Sequence, residues 1–294
     1  MGIIRPFLMP ILSFLEMVKF EHTVFALPFA YMGMFLAQRG IPPLRTFLLI
    51  TLAFASARTY AMTLNRLMDL PFDKRNPRTK GRALVVGRLS IRGALIFVFA
   101  SLSLLVLSAW ALNPLCLKLL PIALFFLSFY HLTKRFTYLS HFFLGFTDGL
   151  APCGSWIAIR SSAFSVADIP MWLLVSIVTV WIAGFDILYQ CQDVEFDRRE
   201  GLFSIPAKFG IPLALKVARL CHFSMVVLLF CLGYFLSFSL PFVFSLLVAI
   251  LLLVKEHSIL SPFDPSRLDV AFFNMNGYIS VVVCLGMVSS IFMG

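Results

Sequence analysis

Asn65, Asp69 and Asp73 recur every fourth residue in the stretch NRLMDLPFDKRNPRTKGRAL, residues 65–84. At that spacing an amide and two carboxylates share one face of a helix. A second set, Asp186, Tyr189, Asp193 and Asp197, is spaced 0, 3, 7 and 11 in DILYQCQDVEFDRREGLFSIPAKFG, residues 186–210, and also falls on one helical face. Two such faces brought together would repel each other. A hard divalent cation relieves the repulsion. Mg2+ suits carboxylate oxygens, takes few protein ligands and completes its shell with substrate phosphates. Arg78, Lys80, Arg82, Lys134 and Arg135 offer cations for the remaining phosphate charge. Pro71 is expected to kink or end the first helix, which would leave Asp73 on irregular backbone.

These residues need a scaffold, and the composition says which. The chain has 294 residues, 60% hydrophobic and 13% charged, with mean hydropathy +0.94. Repeated apolar runs of about 17–25 residues are the signature of membrane-spanning helices. Because lipid offers no hydrogen bonds to the backbone, such runs must be helical, and the fold class is an all-α polytopic bundle around a central cavity. A closed β-barrel would need short alternating segments, which are absent. Nine helices are expected, at 22–38, 45–64, 93–112, 115–131, 141–159, 170–188, 213–236, 239–255 and 271–292. No composition shift divides the chain, so residues 1–294 read as one integral-membrane domain.

Charge sets the sidedness. With the N-terminus inside, 19 Lys and Arg fall on inner segments and 4 on outer ones, with Arg58 inside a span. This bias predicts a cytoplasmic N-terminus. The acidic sets follow the second and sixth helices, so both face the cytoplasm, as do Lys134 and Arg135 after the fourth. The net charge of +10 reads as positive loops at a lipid bilayer, here the cell inner membrane, and no nucleic-acid motif accompanies it. The six Cys lie singly and form no C-x-x-C, which argues against zinc or a disulfide framework. The early apolar residues are interrupted by Pro10, Glu16, Lys19 and Glu21 and do not read as a signal peptide.

Charges after a helix are commonly just solvated. Two acidic faces on the same side, each trailed by basic residues, favour a site instead. NRLMDLPFD with NPRTKGRAL, and DILYQCQDVEFD with GLFSIPAKFG, resemble the two aspartate-rich motifs of the UbiA superfamily of intramembrane aromatic prenyltransferases. KFEHTVFALPFAY (19–31), YHLTKRFTYLSHFFLG (130–145) and APCGSWIA (151–158) are also similar to that family. The likeness runs from about residue 19 to 210, and the last third fits by helix pattern alone.

The resemblance implies a polyprenyl diphosphate held through Mg2+ by the two motifs. It puts the metal on Asn65, Asp69, Asp73, Asp193 and Asp197, and catalysis on Asp69, Asp73, Asp186, Asp193 and Arg135. Substrate binding is expected at Asn65, Arg78, Lys80, Arg82, Lys134 and Tyr189, with His22 and Arg58 added as candidates from their own positions. The acceptor it implies is a small aromatic acid in quinone biosynthesis, of the 4-hydroxybenzoate type, the branch the sequence looks closest to. FEHTVFALPFAY and YQCQDVEFDRREGLFSIPAKFG also resemble relatives that act on a dihydroxynaphthoate for menaquinone, and the sequence does not separate the two acceptors. Arg135 is the choice for the acid's carboxylate, because a guanidinium grips a carboxylate with two donors.

Several residues keep two readings. Arg58 within the second span either faces a substrate anion or snorkels to the interface. Asp148 in the fifth span is a functional candidate by depth, or a structural partner of Arg58. His22 either caps the first helix or lines the acceptor site. The 33 Phe mostly pack or face lipid, with some lining the isoprenoid channel. Two other classes compete. A CDP-alcohol phosphotransferase would carry its own Asp-Gly and Ala-Arg motif, which is missing. A transporter would place its polar groups near the midplane rather than at helix ends. No protein partner is indicated.

Overall fold

Helical runs this apolar are stable only where their side chains meet lipid or one another, and the chain alternates between these two fates. The computed structural model describes residues 14–18, 20–260 and 275–293, excepting the side chains of residues 20–25. The helices are α1 (Phe20–Gln38), α2 (Leu44–Met68), α3 (Leu70–Asp73), α4 (Ile91–Leu112), α5 (Pro114–Thr133) and α6 (Ser140–Arg160). They continue as α7 (Ile169–Gln190), α8 (Val194–Glu200), α9 (Ile205–Phe209), α10 (Ile211–Tyr234), α11 (Leu240–Ile259) and α12 (Asn276–Met293). Among the described residues there is no β-strand. Among the described residues nine helices are long, eight spans are long and apolar enough to cross a bilayer, and the apolar part of α1 is the shorter Ala26–Gln38.

The long helices pack in a ring. α2 lies against α4, α5 against α6, α6 against α7, α7 against α10 and α11 against α12; α12 returns to α1, which leans on α6. The core between α1, α6, α7 and α10–α12 is built on Phe29, Trp156, Trp181, Met225, Phe242 and Met287. Close helix approach in lipid rests on small residues. A Cβ at Gly33 would collide with the Pro152 backbone, and one at Gly145 with the Thr179 carbonyl. On the outer side of the bundle, Phe244, Leu247 and Leu251 of α11 are exposed along one face, which suits lipid.

Caps fix where the helices begin. Ser90 accepts the Gly93 N–H at the start of α4 (3.0 Å). Asn113 accepts the Cys116 N–H at the start of α5 (2.9 Å), while its amide donates to the Ile157 carbonyl of α6 (2.9 Å). At the same C-terminal end of α6, Asp168 is fully buried and takes hydrogen bonds from Trp156 (2.8 Å), Ser162 and Ser165 (2.6 Å each). That acid is consumed by structure.

Candidate active site

The first acidic motif sits where α2 gives way to α3. Pro71 occupies the first turn of α3, where an N–H is not needed. The Asp69 N–H still reaches the Asn65 carbonyl (2.9 Å) and the Asp73 N–H the Asp69 carbonyl (2.8 Å), so the four-residue register passes through the break. Asp73 therefore stands on a helical turn, not on the irregular backbone expected after Pro71. The second motif departs from one continuous helix. Residues 191–193 form a 3-10 turn between α7 and α8. Asp186 and Tyr189 line the central cavity, and Tyr189 and Asp193 share a partner in Arg78. Asp197 instead accepts from Gln190 (2.8 Å) and Ser204 (2.9 Å) of its own segment.

Cations from other segments meet these acids. Lys134 Nζ lies 2.6 Å from Asp69 Oδ2. Arg82 Nη1 lies 2.6 Å from both oxygens of Asp73. Arg78 grips Asp193 with Nε (3.0 Å) and Nη2 (2.5 Å), and donates from Nη1 to the Tyr189 hydroxyl (3.1 Å). Burial alone would weaken the hold of Arg78 on its proton, but the hydrogen bond and charge of Asp193 outweigh it, so its pKa is raised. Asn76 donates to Asp193 Oδ1 (3.2 Å) and accepts the Arg78 N–H (2.9 Å), which fixes the loop that presents the guanidinium. Asp69, Asp73, Asp193 and Asp197 are all buried. The two motifs thus meet at one end of the bundle through the basic residues that follow the first.

Part of this cluster lines a cavity of about 520 Å3, while Asp69, Lys134, Asp193 and Asp197 stand behind its wall. Its polar end carries Asn65, Asp73, Arg78, Arg82, Asp186 and Tyr189; deeper in lie Phe29, Arg58, Met62, Tyr130, Asp148 and Trp181. Arg58 pairs with Asp148 at 3.2 Å, which is the structural partnership considered for that acid. Beyond this pair lies a second, apolar cavity of about 280 Å3, whose walls include Ala53, Phe54, Ala57, Leu120, Phe126 and Leu127. Arg58, Met62, Tyr130 and Asp148 border both.

Not every expected residue joins the cavity wall. Arg135 donates to the Met68 carbonyl (2.8 Å) and stacks over Phe72, with Asp69 3.8 Å away. Lys80 is exposed and contributes its backbone N–H to the Asn76 carbonyl (3.0 Å). The side chain of His22 lies outside the described residues. Other residues enter that the motif spacing did not single out. Arg66 is buried, lines the cavity and forms no ion pair with a carboxylate among the described residues. His131 meets the Asn65 amide (3.2 Å), and His141 meets Asp186 (2.6 Å). Asn76 precedes Pro77, a pair of residues that favours a turn. Both histidines lie in YHLTKRFTYLSHFFLG, but nothing in that stretch points to Asn65 or Asp186 as their partners.

The UbiA prenyltransferase family model matches residues 26–278. The chain belongs to the UbiA prenyltransferase family. It is an integral-membrane enzyme that transfers prenyl groups, which sets aside the phosphotransferase and transporter readings. It is 28% identical over 257 residues to the 4-hydroxybenzoate octaprenyltransferase of Nitrosospira multiformis, covering 87% of this chain and 86% of that one. The apo structure of a UbiA homolog from Aeropyrum pernix K1 superimposes with a TM-score of 0.83 at 32% identity, over 92% of this chain and 98% of that one. A UbiA homolog from Archaeoglobus fulgidus, bound to DMAPP and Mg2+, shares the fold with a TM-score of 0.65 at 18% identity, over 92% and 99%.

The UbiA motifs also bear on the metal. Every donor expected for it, Asn65, Asp69, Asp73, Asp193 and Asp197, offers oxygen, the donor that Mg2+ takes. Asp69 Oδ1 is buried and has no hydrogen-bond partner, an orphan acceptor that a cation would satisfy. Among the described residues no three acidic, His or Cys side chains are gathered as a ready metal cluster. Lysine and arginine supply the counter-charge to Asp69, Asp73 and Asp193. The donor chemistry fits the ion.

Proposed function

We propose that the protein transfers a polyprenyl group from a polyprenyl diphosphate to the ring of a small aromatic acid, of the 4-hydroxybenzoate type, in an Mg2+-dependent step of quinone biosynthesis. The observation that carries this reading is the meeting of both acidic motifs with Arg78, Arg82 and Lys134 at the mouth of a cavity that turns apolar with depth. The relatives named for 4-hydroxybenzoate support the acceptor class. The bound DMAPP and Mg2+ of the Archaeoglobus fulgidus homolog support the donor and the ion at the level of fold.

In this reading Asn65, Asp69, Asp73, Asp193 and Asp197 hold the metal, which neutralises charge on the diphosphate. Arg78, Arg82 and Lys134 donate to the phosphate oxygens, and these donors matter most as the allylic C–O bond breaks and its electron pair stays with the leaving oxygen. The walls at Phe29, Tyr130 and Trp181 keep water from the allylic cation and offer it aromatic faces. The acceptor ring forms the new C–C bond, and its displaced proton goes to a carboxylate, for which Asp186 on the cavity wall is placed. Arg66, which forms no ion pair with a carboxylate among the described residues, is the wall residue suited to the acceptor's own carboxylate. The basic bias of the loops supports placing the N-terminus and both motifs on the cytoplasmic side of the inner membrane.

The assay is direct. Membranes holding the protein receive Mg2+, a labelled allylic diphosphate, and 4-hydroxybenzoate or a dihydroxynaphthoate in turn. Label is expected on 4-hydroxybenzoate; label on the naphthoate alone would move the enzyme to menaquinone synthesis, and label on neither would reject the acceptor class.

A further inference from the structure

Among the described residues, Asp186 is the one motif acid hydrogen-bonded to a histidine ring, and that ring comes from outside both motifs. His141, on α6, is almost wholly buried, and its Nδ1 lies 2.6 Å from Asp186 Oδ2. The opposite ring nitrogen is engaged too. The backbone N–H of Ile205 donates to His141 Nε2 at 3.2 Å. A backbone amide can only donate, so Nε2 presents its lone pair and carries no proton. The ring is then the neutral tautomer with hydrogen on Nδ1, and that hydrogen is aimed at Asp186.

We infer that His141 is the positioning residue for Asp186: the Ile205 amide locks its tautomer, and its Nδ1–H holds the carboxylate toward the cavity as an acceptor. This rests on the proposed transfer, in which Asp186 takes the ring proton. The lock also limits what His141 does. With Nε2 capped by the backbone, the ring has no free nitrogen through which to pass the proton on, so it orients Asp186 and does not relay.

The Ile205 end of the lock is itself tied to the second motif. Ser204, the preceding residue, donates to Asp197 Oδ2 (2.9 Å) and caps α9 by accepting the Ala207 N–H (3.2 Å). One step earlier, the Phe203 N–H donates to the Lys134 carbonyl (2.7 Å). The segment 203–205 therefore sets Asp197 through Ser204 and Asp186 through His141, and is anchored beside the lysine that meets Asp69. A shift of this segment moves acids of the second motif together.

The test uses the full chain in detergent or nanodiscs. Long-range 15N–1H spectra of histidine-labelled protein, assigned by the signal lost in His141→Gln, report the tautomer. The expected result at neutral pH is a ring with Nδ1 protonated and Nε2 bare, whose Nδ1–H resonance moves in Asp186→Asn. Transfer kinetics supply the second arm. His141→Leu is expected to lower kcat at least about tenfold, with KM for the prenyl diphosphate little changed. His141→Gln, which keeps one donor and one acceptor, restores most of the rate. An Nε2–H tautomer, an imidazolium, or equal losses in the Gln and Leu variants overturns the proposal. If the wild-type protein transfers to no aromatic acid, the functional reading fails, while the tautomer still decides the lock.

Discussion

Arg78 and Asp193 stand 115 residues apart in sequence and are joined by two hydrogen bonds between guanidinium and carboxylate. The cation trailing the first motif thereby caps the central acid of the second. Two acidic faces that would repel each other are paired with cations instead. The same logic pairs Lys134 with Asp69 and Arg82 with Asp73.

Arg78→Ala removes that joint and leaves a buried carboxylate short of a partner. Hydrogen bonds to charged groups contribute about 1.5–3 kcal/mol, or roughly ten- to a hundredfold in a rate that uses them. A fall of that order is expected in kcat/KM for the prenyl diphosphate. Arg78→Lys keeps the charge but not the fork, and is expected to fall between wild type and alanine. Steady-state kinetics of the two variants check the order.

Lys134→Ala takes the counter-charge from Asp69, which is buried. Without added Mg2+ the protein is expected to unfold at lower temperature than wild type, because the carboxylate loses its nearest cation. Adding Mg2+ is expected to return part of the difference, since an ion bound only by the folded state stabilises it. Thermal unfolding in detergent, with and without Mg2+, measures both effects.

Arg58 and Asp148 meet inside spans α2 and α6, where a lone charge is costly. Arg58→Met and Asp148→Asn are each expected to destabilise, and the double variant to lose less than the sum. The coupling should fall at about 0.5–3 kcal/mol. A double-mutant cycle of unfolding midpoints reads it, and additive losses would show that the contact contributes nothing.

The membrane-spanning frame was legible because each long apolar run carries its own hydropathy signal. The expected spans and the observed long helices agree within a few residues at most ends. The motif helices run on past the apolar signal, to Met68 and Gln190, since Asn65, Arg66 and Tyr189 are polar yet continue the turn. The i, i+4 spacing of Asn65, Asp69 and Asp73 was also readable, because helix geometry alone dictates it. The partners were not. That Arg82 takes Asp73, that Arg135 stacks on Phe72 rather than lining the cavity, and that His141 meets Asp186 all depend on how separate segments pack. The stretch around His141 was readable as family-like, but its contact with Asp186 was not.

Gly145 gives a prediction about packing alone. Its missing Cβ lets α6 lie against the Thr179 carbonyl of α7. Gly145→Ala is expected to force these helices apart at a cost of about 1–3 kcal/mol, seen as a lower unfolding midpoint. Gly154→Ala, at a position with open space, is the control and should change little.

The most direct measurement is Mg2+-dependent prenyl transfer by Asp69→Asn and Asp193→Asn, each beside an unfolding curve showing that the protein remains inserted and folded. Each substitution removes one negative charge from a different motif. Both variants are predicted to lose transfer by at least about a hundredfold, as expected when charge stabilisation at a leaving group is removed. Near wild-type turnover in both folded variants would contradict a diphosphate and metal site shared by the two motifs.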